Sequence, residues 1–348
     1  MHRHFAALGR KQVRLMEVCG THTMAIYRHG LRSLFPAGLE LTSGPGCPVC
    51  VTPTGVIDAA IRLARIPEVT LCTFGDMLRV PGSTSSLDAE RAAGASVRVC
   101  YSSLDALDIA RAQPDRQVVF AGVGFETTAP TMAATILSAE EENIANFSAL
   151  VSYKTMPQPM RALLQDQTVS LEGFLCPGHV SVVTGSQIYE FIPAEFGIPC
   201  VVAGFEPHEI LEGLAMLLSQ LAEGRAEVEI QYKAAVVREG NPTARAVMNQ
   251  VFEPVDAEWR GLGVIAGSGL ALRSDYVKYD ACARFGVSIP DSPPHPGCSC
   301  GDVLRGAMRP EECPLFGAAC TPETPFGPCM VSSEGACAAH HKYGVAIT

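Results

Sequence analysis

The segment Ser43-Gly44-Pro45-Gly46-Cys47-Pro48-Val49-Cys50-Val51-Thr52-Pro53 places two cysteines, with two residues between them, among glycines and prolines. The prolines fix φ and the glycines allow conformations that other residues avoid, so this backbone is predicted to have a defined shape. A Cys-Pro-Val-Cys turn can close a small disulfide ring or present two thiolates to one metal ion. From the residues alone we favour a redox-active pair, and half of a zinc knuckle is the alternative.

A second segment with potential reactivity lies upstream, in Glu17-Val18-Cys19-Gly20-Thr21-His22-Thr23. A thiolate and an imidazole together suit iron, zinc or copper. The alternative is a structural loop in which His22 bonds to backbone and Cys19 is simply buried. We expect this segment to meet the Cys-Pro-Val-Cys segment, and we expect cysteines near the C-terminus to serve both.

Composition excludes several classes of protein. The 348 residues predict two or three domains, and 47% hydrophobic with 18% charged residues is typical of a globular chain. A formal net charge of -10 argues against a nucleic-acid partner, because phosphate binding needs a basic face. No apolar run is long enough to span a bilayer, and the N-terminus lacks the pattern of a signal peptide. We therefore expect a cytoplasmic protein.

Short apolar runs alternate with helical patterns along the chain. Buried strands are predicted at 69–74, 117–122, 149–153, 173–176 and 199–203, and helices at 54–64, 103–112, 129–143 and 208–222. This alternation is typical of parallel sheets with crossover helices. The predicted fold class is therefore α/β, with two similar parallel-sheet α/β domains around a cleft and a smaller C-terminal domain.

The flanking regions complete the predicted organisation. Near the N-terminus, helices are predicted at 5–14 and 24–35, with Cys19 and His22 on the link between them. Residues 259–265 have a strand-like pattern. The predicted domains are a first α/β domain at 36–122, a second at 123–235, and a third region that combines 1–35 with 236–348.

Two polar residues follow predicted strands at positions suited to ligands. Glu126 belongs to a Gly-Phe-Glu-Thr-Thr turn, and His179 follows Pro177-Gly178. In parallel sheets, ligands lie beyond the carboxyl ends of the strands. Both residues are candidates for the site; the alternatives are a helix cap at the turn and a structural role for His179.

The C-terminal region is rich in proline, glycine and cysteine and has few long apolar segments, so it needs a fastening other than a hydrophobic core. Its six cysteines, among fourteen in the chain, are Cys298, Cys300, Cys313, Cys320, Cys329 and Cys337. An Fe–S cluster takes four thiolates, as does a structural zinc ion. The wide gaps between these cysteines favour an Fe–S cluster, while zinc and metal-free thiols stay open.

Seven motifs together resemble the HypD family of hydrogenase maturation factors, in the family's order over nearly the whole chain. They are Met16-Glu17-Val18-Cys19-Gly20-Thr21-His22-Thr23, Gly44-Pro45-Gly46-Cys47-Pro48-Val49-Cys50, Gly124-Phe125-Glu126-Thr127-Thr128, Pro177-Gly178-His179-Val180-Ser181, Trp259-Arg260-Gly261-Leu262-Gly263, Cys313-Pro314-Leu315-Phe316-Gly317 and Ser332-Ser333-Glu334-Gly335-Ala336-Cys337. The set is highly specific, although each motif alone would be weak.

The resemblance implies a scaffold, with redox activity rather than conventional turnover, on which the Fe(CN)2CO group of [NiFe]-hydrogenases is assembled. It implies a HypC-type small chaperone and a HypE-type cyanide donor as partners of a chain that is monomeric alone. By motif, Cys19 would ligate the transient iron with His22 beside it, Cys47 and Cys50 would be the redox pair, and Glu126 and His179 would line the same cleft. A [4Fe–4S] cluster in the C-terminal domain would be held by Cys300, Cys313, Cys320 and Cys337.

Two other functions compete with this interpretation. One is a free-standing Fe–S-dependent thiol–disulfide oxidoreductase. The other is a structural zinc protein whose Cys-Pro-Val-Cys loop has no redox role.

Overall fold

A computed structural model describes residues 1–166 and 170–344 of the chain. Its strands, in chain order, are β1 (Val13–Glu17), β2 (Leu39–Ser43), β3 (Val69–Thr73), β4 (Val97–Val99), β5 (Gln117–Gly124), β6 (Phe147–Tyr153), β7 (Gly173–Pro177), β8 (Cys200–Ala203), β9 (Val228–Ile230), β10 (Phe252–Trp259) and β11 (Gly263–Leu272). Its α-helices are α1 (His2–Ala7), α2 (Gly20–Arg28), α3 (Pro48–Val51), α4 (Thr54–Ala64), α5 (Leu87–Ala92), α6 (Ser103–Ala112), α7 (Ala129–Glu141), α8 (Pro157–Gln165), α9 (Gly178–Thr184), α10 (Phe191–Phe196), α11 (Pro207–Glu223), α12 (Pro242–Val251), α13 (Ala281–Phe285), α14 (Cys300–Leu304), α15 (Pro328–Val331) and α16 (Ala336–Tyr343).

The fold is α/β with two parallel-sheet cores, as predicted. Sheet A has the strand order β2-β1-β7-β8-β9, and sheet B has the order β4-β3-β5-β6; every pairing within them is parallel. The interior strands of both sheets are buried because helices cover the sheets, which is why these strands appear in the sequence as short apolar runs. An antiparallel ribbon, β10-β11, joins sheet B through Thr155, whose N–H donates to the carbonyl of Ser268 at 2.9 Å.

The N-terminal region differs from its prediction. The helix predicted at 5–14 ends at Ala7, and residues 13–17 form β1 in the interior of sheet A. Gly9 has a φ of +62°, which stops the helix, and the residues after it bury their apolar side chains against β2 and β7. The helix predicted at 24–35 begins earlier, at Gly20, and ends at Arg28, because Gly30 takes a left-handed conformation with a φ of +61°.

The strands of each sheet come from more than one of the predicted domain ranges. Sheet A takes β1 and β2 from the first 43 residues and its other strands from residues 173 onward. Sheet B takes its four strands from residues 69–153. The predicted ranges divide both sheets, because pairing between strands far apart in sequence leaves no local signal.

Residues 291–344 consist of loops, a 3-10 turn and the short helices α14, α15 and α16. They pack on the rest of the molecule at several places, and among these contacts α16 lies against α2 and α15 lies against α3. The segments that carry the C-terminal cysteines therefore reach both N-terminal motifs.

Candidate functional site

The candidate site lies beyond the carboxyl end of sheet A. The chain reverses its direction of strand addition between β1 and β7, since β2 is added on one side of β1 and β7 on the other. Ligands in such sheets bind at this topological switch point. Cys19 follows β1, Gly178 and His179 follow β7, and the Cys-Pro-Val-Cys segment follows β2.

Cys19 and the Cys-Pro-Val-Cys segment are in backbone contact. The N–H of Gly20 donates to the carbonyl of Gly46 at 3.0 Å. A Cβ atom added to Gly46 would overlap the backbone of Val18 and Cys19, so only glycine permits this approach. The two segments therefore meet as the sequence predicts.

Cys47 and Cys50 form a disulfide, with their Cα atoms 5.2 Å apart. Pro48 is the first residue of α3, a position whose N–H has no partner within the helix, so proline is well suited to it. The backbone N–H of Cys50 donates to the Cys47 sulfur at 3.2 Å. Both cysteines are buried. In this state their sulfurs are bonded to each other, so the pair is not arranged as half of a zinc knuckle.

The Cys19 thiol is buried among carboxyl groups. The backbone N–H of Cys19 donates to the Glu17 carboxyl group at 3.0 Å. Burial raises the pKa of Cys19 to about 12, and negative charge at Glu334 and Glu17 adds to that rise. Burial also raises the pKa of Glu17 to about 7. The Cys19 thiol therefore keeps its proton at neutral pH, and a metal cation is the kind of group that would displace it.

His22 is buried as a neutral imidazole. Its Nε2–H donates to the carbonyl of Gly204 at 2.8 Å, and its Nδ1 has no hydrogen-bond partner in the described part of the chain. Burial lowers the pKa of His22 to about 4. The side chain is therefore a neutral ring with a free nitrogen lone pair, which is the form that ligates metals.

Phe205 links His22 to His179. Its ring centroid is 5.0 Å from that of His22 and 3.9 Å from that of His179, and the rings of Phe205 and His179 are stacked. The side chain of His179 is exposed, whereas His22 is fully buried. The structure thus brings His179 to the Cys19 side of the molecule, with its imidazole accessible from outside.

Glu126 lies at the end of β5 in sheet B. Its Oε1 accepts the N–H of Met156 at 2.9 Å, and its Oε2 is buried without a partner among the described residues. Burial raises the pKa of Glu126 to about 7. The charge of Glu126 acts on Tyr189, and the adjacent Phe125 belongs to the same large hydrophobic cluster as Cys47 and Cys50. The described contacts do not join it directly to Cys19.

The six C-terminal cysteines surround one small cavity, here called the thiol chamber. Its walls also include Leu315, Phe316 and Met330, and its cysteines are Cys298, Cys300, Cys313, Cys320, Cys329 and Cys337. The chamber includes the four cysteines predicted as cluster ligands and the two others. Neighbouring thiols interact with one another, so that Cys298 and Cys329 donate to Cys300 and, together with the charge of Arg260, lower its pKa.

The arrangement of the thiols in the chamber limits the kind of group that it could hold. Within residues 1–166 and 170–344, no three histidine, cysteine or carboxyl side chains converge as they would around a single metal ion. The thiols instead stand around an apolar space. A structural zinc ion needs four ligands at one point, whereas the four thiolates of a [4Fe–4S] cluster surround a larger group. The six thiols that line the chamber are therefore compatible with an Fe–S cluster or another metal group.

The chamber touches both N-terminal motifs. Helix α15, which carries Cys329, contacts α3, which carries Cys50. Glu334 accepts a hydrogen bond from Thr21 at 2.7 Å, beside Cys19. Cys19, the disulfide and the thiol chamber therefore form one continuous region. No role was predicted from the sequence for Glu17, which contacts Cys19, or for Arg260, which contacts the disulfide segment. Both lie inside motifs quoted from the sequence, and this was the signal that could have identified them.

Comparisons with known proteins agree along the whole chain. A family described as "HypD: Hydrogenase formation hypA family" matches residues 2–344. The chain is 50% identical over 337 residues to the hydrogenase maturation factor HypD of Rhizobium leguminosarum bv. viciae, covering 94% of this chain and 88% of that protein. It is 49% identical to the HypD of Rhodobacter capsulatus (97% of this chain and 91% of that protein covered) and 46% identical to that of Escherichia coli strain K12 (98% and 91% covered).

Among the described helices, none is both long and apolar enough to cross a membrane.

Proposed function

The chain belongs to the HypD family of hydrogenase maturation factors, and from this premise we propose that it is the scaffold on which the Fe(CN)2CO group of [NiFe]-hydrogenases is assembled. The observation that carries the proposal is the backbone contact between the Cys19 loop and Gly46 of the disulfide segment. This contact supports the proposal because it brings the loop that carries Cys19 against the segment that carries the Cys47–Cys50 disulfide.

Cys19 is the proposed ligand of the iron cargo, and His22 is the proposed neighbour that assists it. The Cys19 thiol loses its proton when it binds iron, and the nearby Glu17 carboxyl is a potential acceptor of that proton. Nε2 of His22 donates to the Gly204 carbonyl, and the Nδ1 lone pair has no hydrogen-bond partner among the described residues. His179 and Glu126 complete the proposed site, with His179 at its accessible side.

The thiol chamber is the proposed position of a [4Fe–4S] cluster. The ligand set proposed from the motifs is Cys300, Cys313, Cys320 and Cys337, and the same cavity also offers Cys298 and Cys329. A cluster held there would supply electrons one at a time. Helix α15, which carries Cys329, contacts α3, which carries Cys50, so the chain holds the chamber beside the disulfide segment.

The Cys47–Cys50 pair is the proposed store of two electrons. Reduction breaks the S–S bond and leaves two thiolates, or thiols after uptake of two protons; reoxidation returns two electrons and reforms the bond. Assembly of the cargo also needs a carrier and a source of cyanide. A HypC-type small chaperone and a HypE-type cyanide donor are the proposed partners, and the cytoplasm is the proposed compartment.

Infrared spectroscopy of the protein co-expressed with these partners tests the proposal. We expect bands of iron-bound cyanide and carbon monoxide in the wild-type chain and none in Cys19→Ala. The control is Cys72→Ala, which removes a buried thiol outside the site and should leave the bands unchanged. Bands that survive Cys19→Ala would show that this thiol is not the iron ligand.

A free-standing thiol–disulfide oxidoreductase is the second candidate, because a disulfide that contacts the thiol chamber would also suit that function. It predicts reduction of external disulfides without any infrared bands, and activity that is unaffected by Cys19→Ala. Zinc without iron or sulfide in anaerobically purified protein would contradict both candidates.

A further inference from the structure

Arg260 occupies the junction between the disulfide segment and the thiol chamber. It lies in the tight turn between β10 and β11, where the sequence pattern predicts a strand and where Gly261 instead takes a φ of +80°. Only 5% of its surface is exposed. A buried guanidinium is unusual, because removing its charge from water is costly unless anions or dipoles replace the solvent.

One side of Arg260 holds the disulfide segment. Its backbone N–H donates to the carbonyl of Val51 at 2.9 Å, and its Nε donates to the carbonyl of Thr52 at 3.0 Å. These carbonyls directly follow Cys50, at the end of α3. The Nε bond therefore holds the guanidinium at the end of α3, the helix that carries Cys50, and the backbone bond fixes the turn in the same place.

The other side of Arg260 faces the thiol chamber. A Cβ atom added to Gly261 would overlap the backbone of Gly301, the residue after Cys300. The positive charge of Arg260 acts on the Cys300 thiol. One guanidinium nitrogen, Nη2, is buried and has no hydrogen-bond partner in residues 1–166 and 170–344. The environment thus contains an unmatched cationic donor that an anion could satisfy.

We propose that Arg260 is a positioning residue that stabilises the anionic, reduced form of the Cys47–Cys50 pair and so raises its reduction potential. The inference rests on the proposed redox role of that pair. Reduction converts a neutral S–S bond into two thiolates, and a fixed cation at the end of α3 lowers the free energy of that product. Because a guanidinium stays charged at every physiological pH, the effect does not depend on titration of Arg260.

Three substitutions separate charge from hydrogen bonding. Arg260→Lys keeps the charge, Arg260→Gln keeps N–H donors without the charge, and Arg260→Met keeps neither. A purely structural role would place the Gln variant near the wild type. The proposed electrostatic role places the Lys variant near the wild type and the Gln variant near Met.

The measurement is the equilibrium between the full-length, anaerobically purified chain and dithiothreitol redox buffers at fixed pH. In this exchange the Cys47–Cys50 bond breaks while the reagent's two thiols form a cyclic disulfide, so two electrons pass and protons balance. Alkylation followed by mass spectrometry of the peptide that contains both cysteines gives the reduced fraction.

We expect the equilibrium constant for reduction to fall by about tenfold or more in Arg260→Gln and Arg260→Met, which corresponds to about 30 mV. Arg260→Lys should stay within about threefold of the wild type. A Gln variant equal to the wild type, or a Lys variant as low as Met, would overturn the proposal. This readout needs no iron cargo, so its failure is distinguishable from loss of the infrared bands that test the proposed function.

Discussion

The substitution Gly46→Ala tests the junction between the two N-terminal motifs without altering any proposed ligand. The added Cβ would overlap the backbone of Val18 and Cys19, and backbone atoms have no rotamer through which to move aside. The φ of Gly46 lies outside the left-handed region, so the effect is steric rather than conformational. The loops must therefore separate.

The expected cost has two parts. Overpacking at a buried contact costs about 1–3 kcal/mol. Separation also breaks the hydrogen bond from Gly20 N–H to the Gly46 carbonyl, which contributes about 1 kcal/mol. We expect the local free energy of opening to fall by about 2–4 kcal/mol, which speeds exchange of the Gly20 amide by roughly 30- to 1000-fold.

Amide hydrogen exchange followed by mass spectrometry measures this change in the peptide that contains Cys19 and Gly20. The matched control is Gly75→Ala, because a Cβ at Gly75 meets only the Val99 side chain at 3.7 Å, an ordinary contact. We also expect Gly46→Ala to lose the infrared bands of bound cyanide and carbon monoxide. Exchange within threefold of both the wild type and the Gly75→Ala control would refute the claimed contact.

Two further predictions concern the thiol chamber and the buried carboxyl group. Cys337→Ala should lower bound iron and sulfide and make the chain beyond about residue 290 more susceptible to proteolysis, because this region has little apolar core of its own; Cys72→Ala is the control. Unchanged cluster content in Cys337→Ala would move the ligand assignment to Cys298 or Cys329. Glu126→Gln should gain stability relative to the wild type as pH rises from 4.5 to about 7, by up to roughly 3 kcal/mol. Burial raises the pKa of Glu126, so the protonated form stabilises the fold at low pH and that contribution disappears through this window; denaturation curves with parallel pH dependence would contradict it.

The sequence predicted most of what depends on local pattern. The buried strands β3, β5, β6, β7 and β8 lie within or near their predicted ranges, because each is a short and largely apolar run. The meeting of Cys19 with the Cys-Pro-Val-Cys segment also agrees with its prediction. Both segments follow parallel strands, and neighbouring parallel strands deliver their carboxyl ends to one edge of a sheet.

What the sequence did not predict depends on contacts between distant segments. The strand Val13–Glu17 was not predicted: its first two residues were assigned to the end of a helix and the rest to a link, because a five-residue run gives no periodicity that separates a strand from a helix. Its pairing with β7, more than 150 residues later, has no local signature. The position of Arg260 could not be predicted from the sequence either, because it depends on contacts between the β10–β11 turn, the end of α3 and the segment that contains Cys300.

The most direct test of the whole account is an anomalous-scattering map at the iron edge, from anaerobic crystals of the chain loaded by its partners. We predict iron density inside the thiol chamber and a second iron position at the Cys19 sulfur, beside His22 and the Cys47–Cys50 pair. Iron at a position remote from Cys19, or zinc in place of iron in the chamber, would contradict the account.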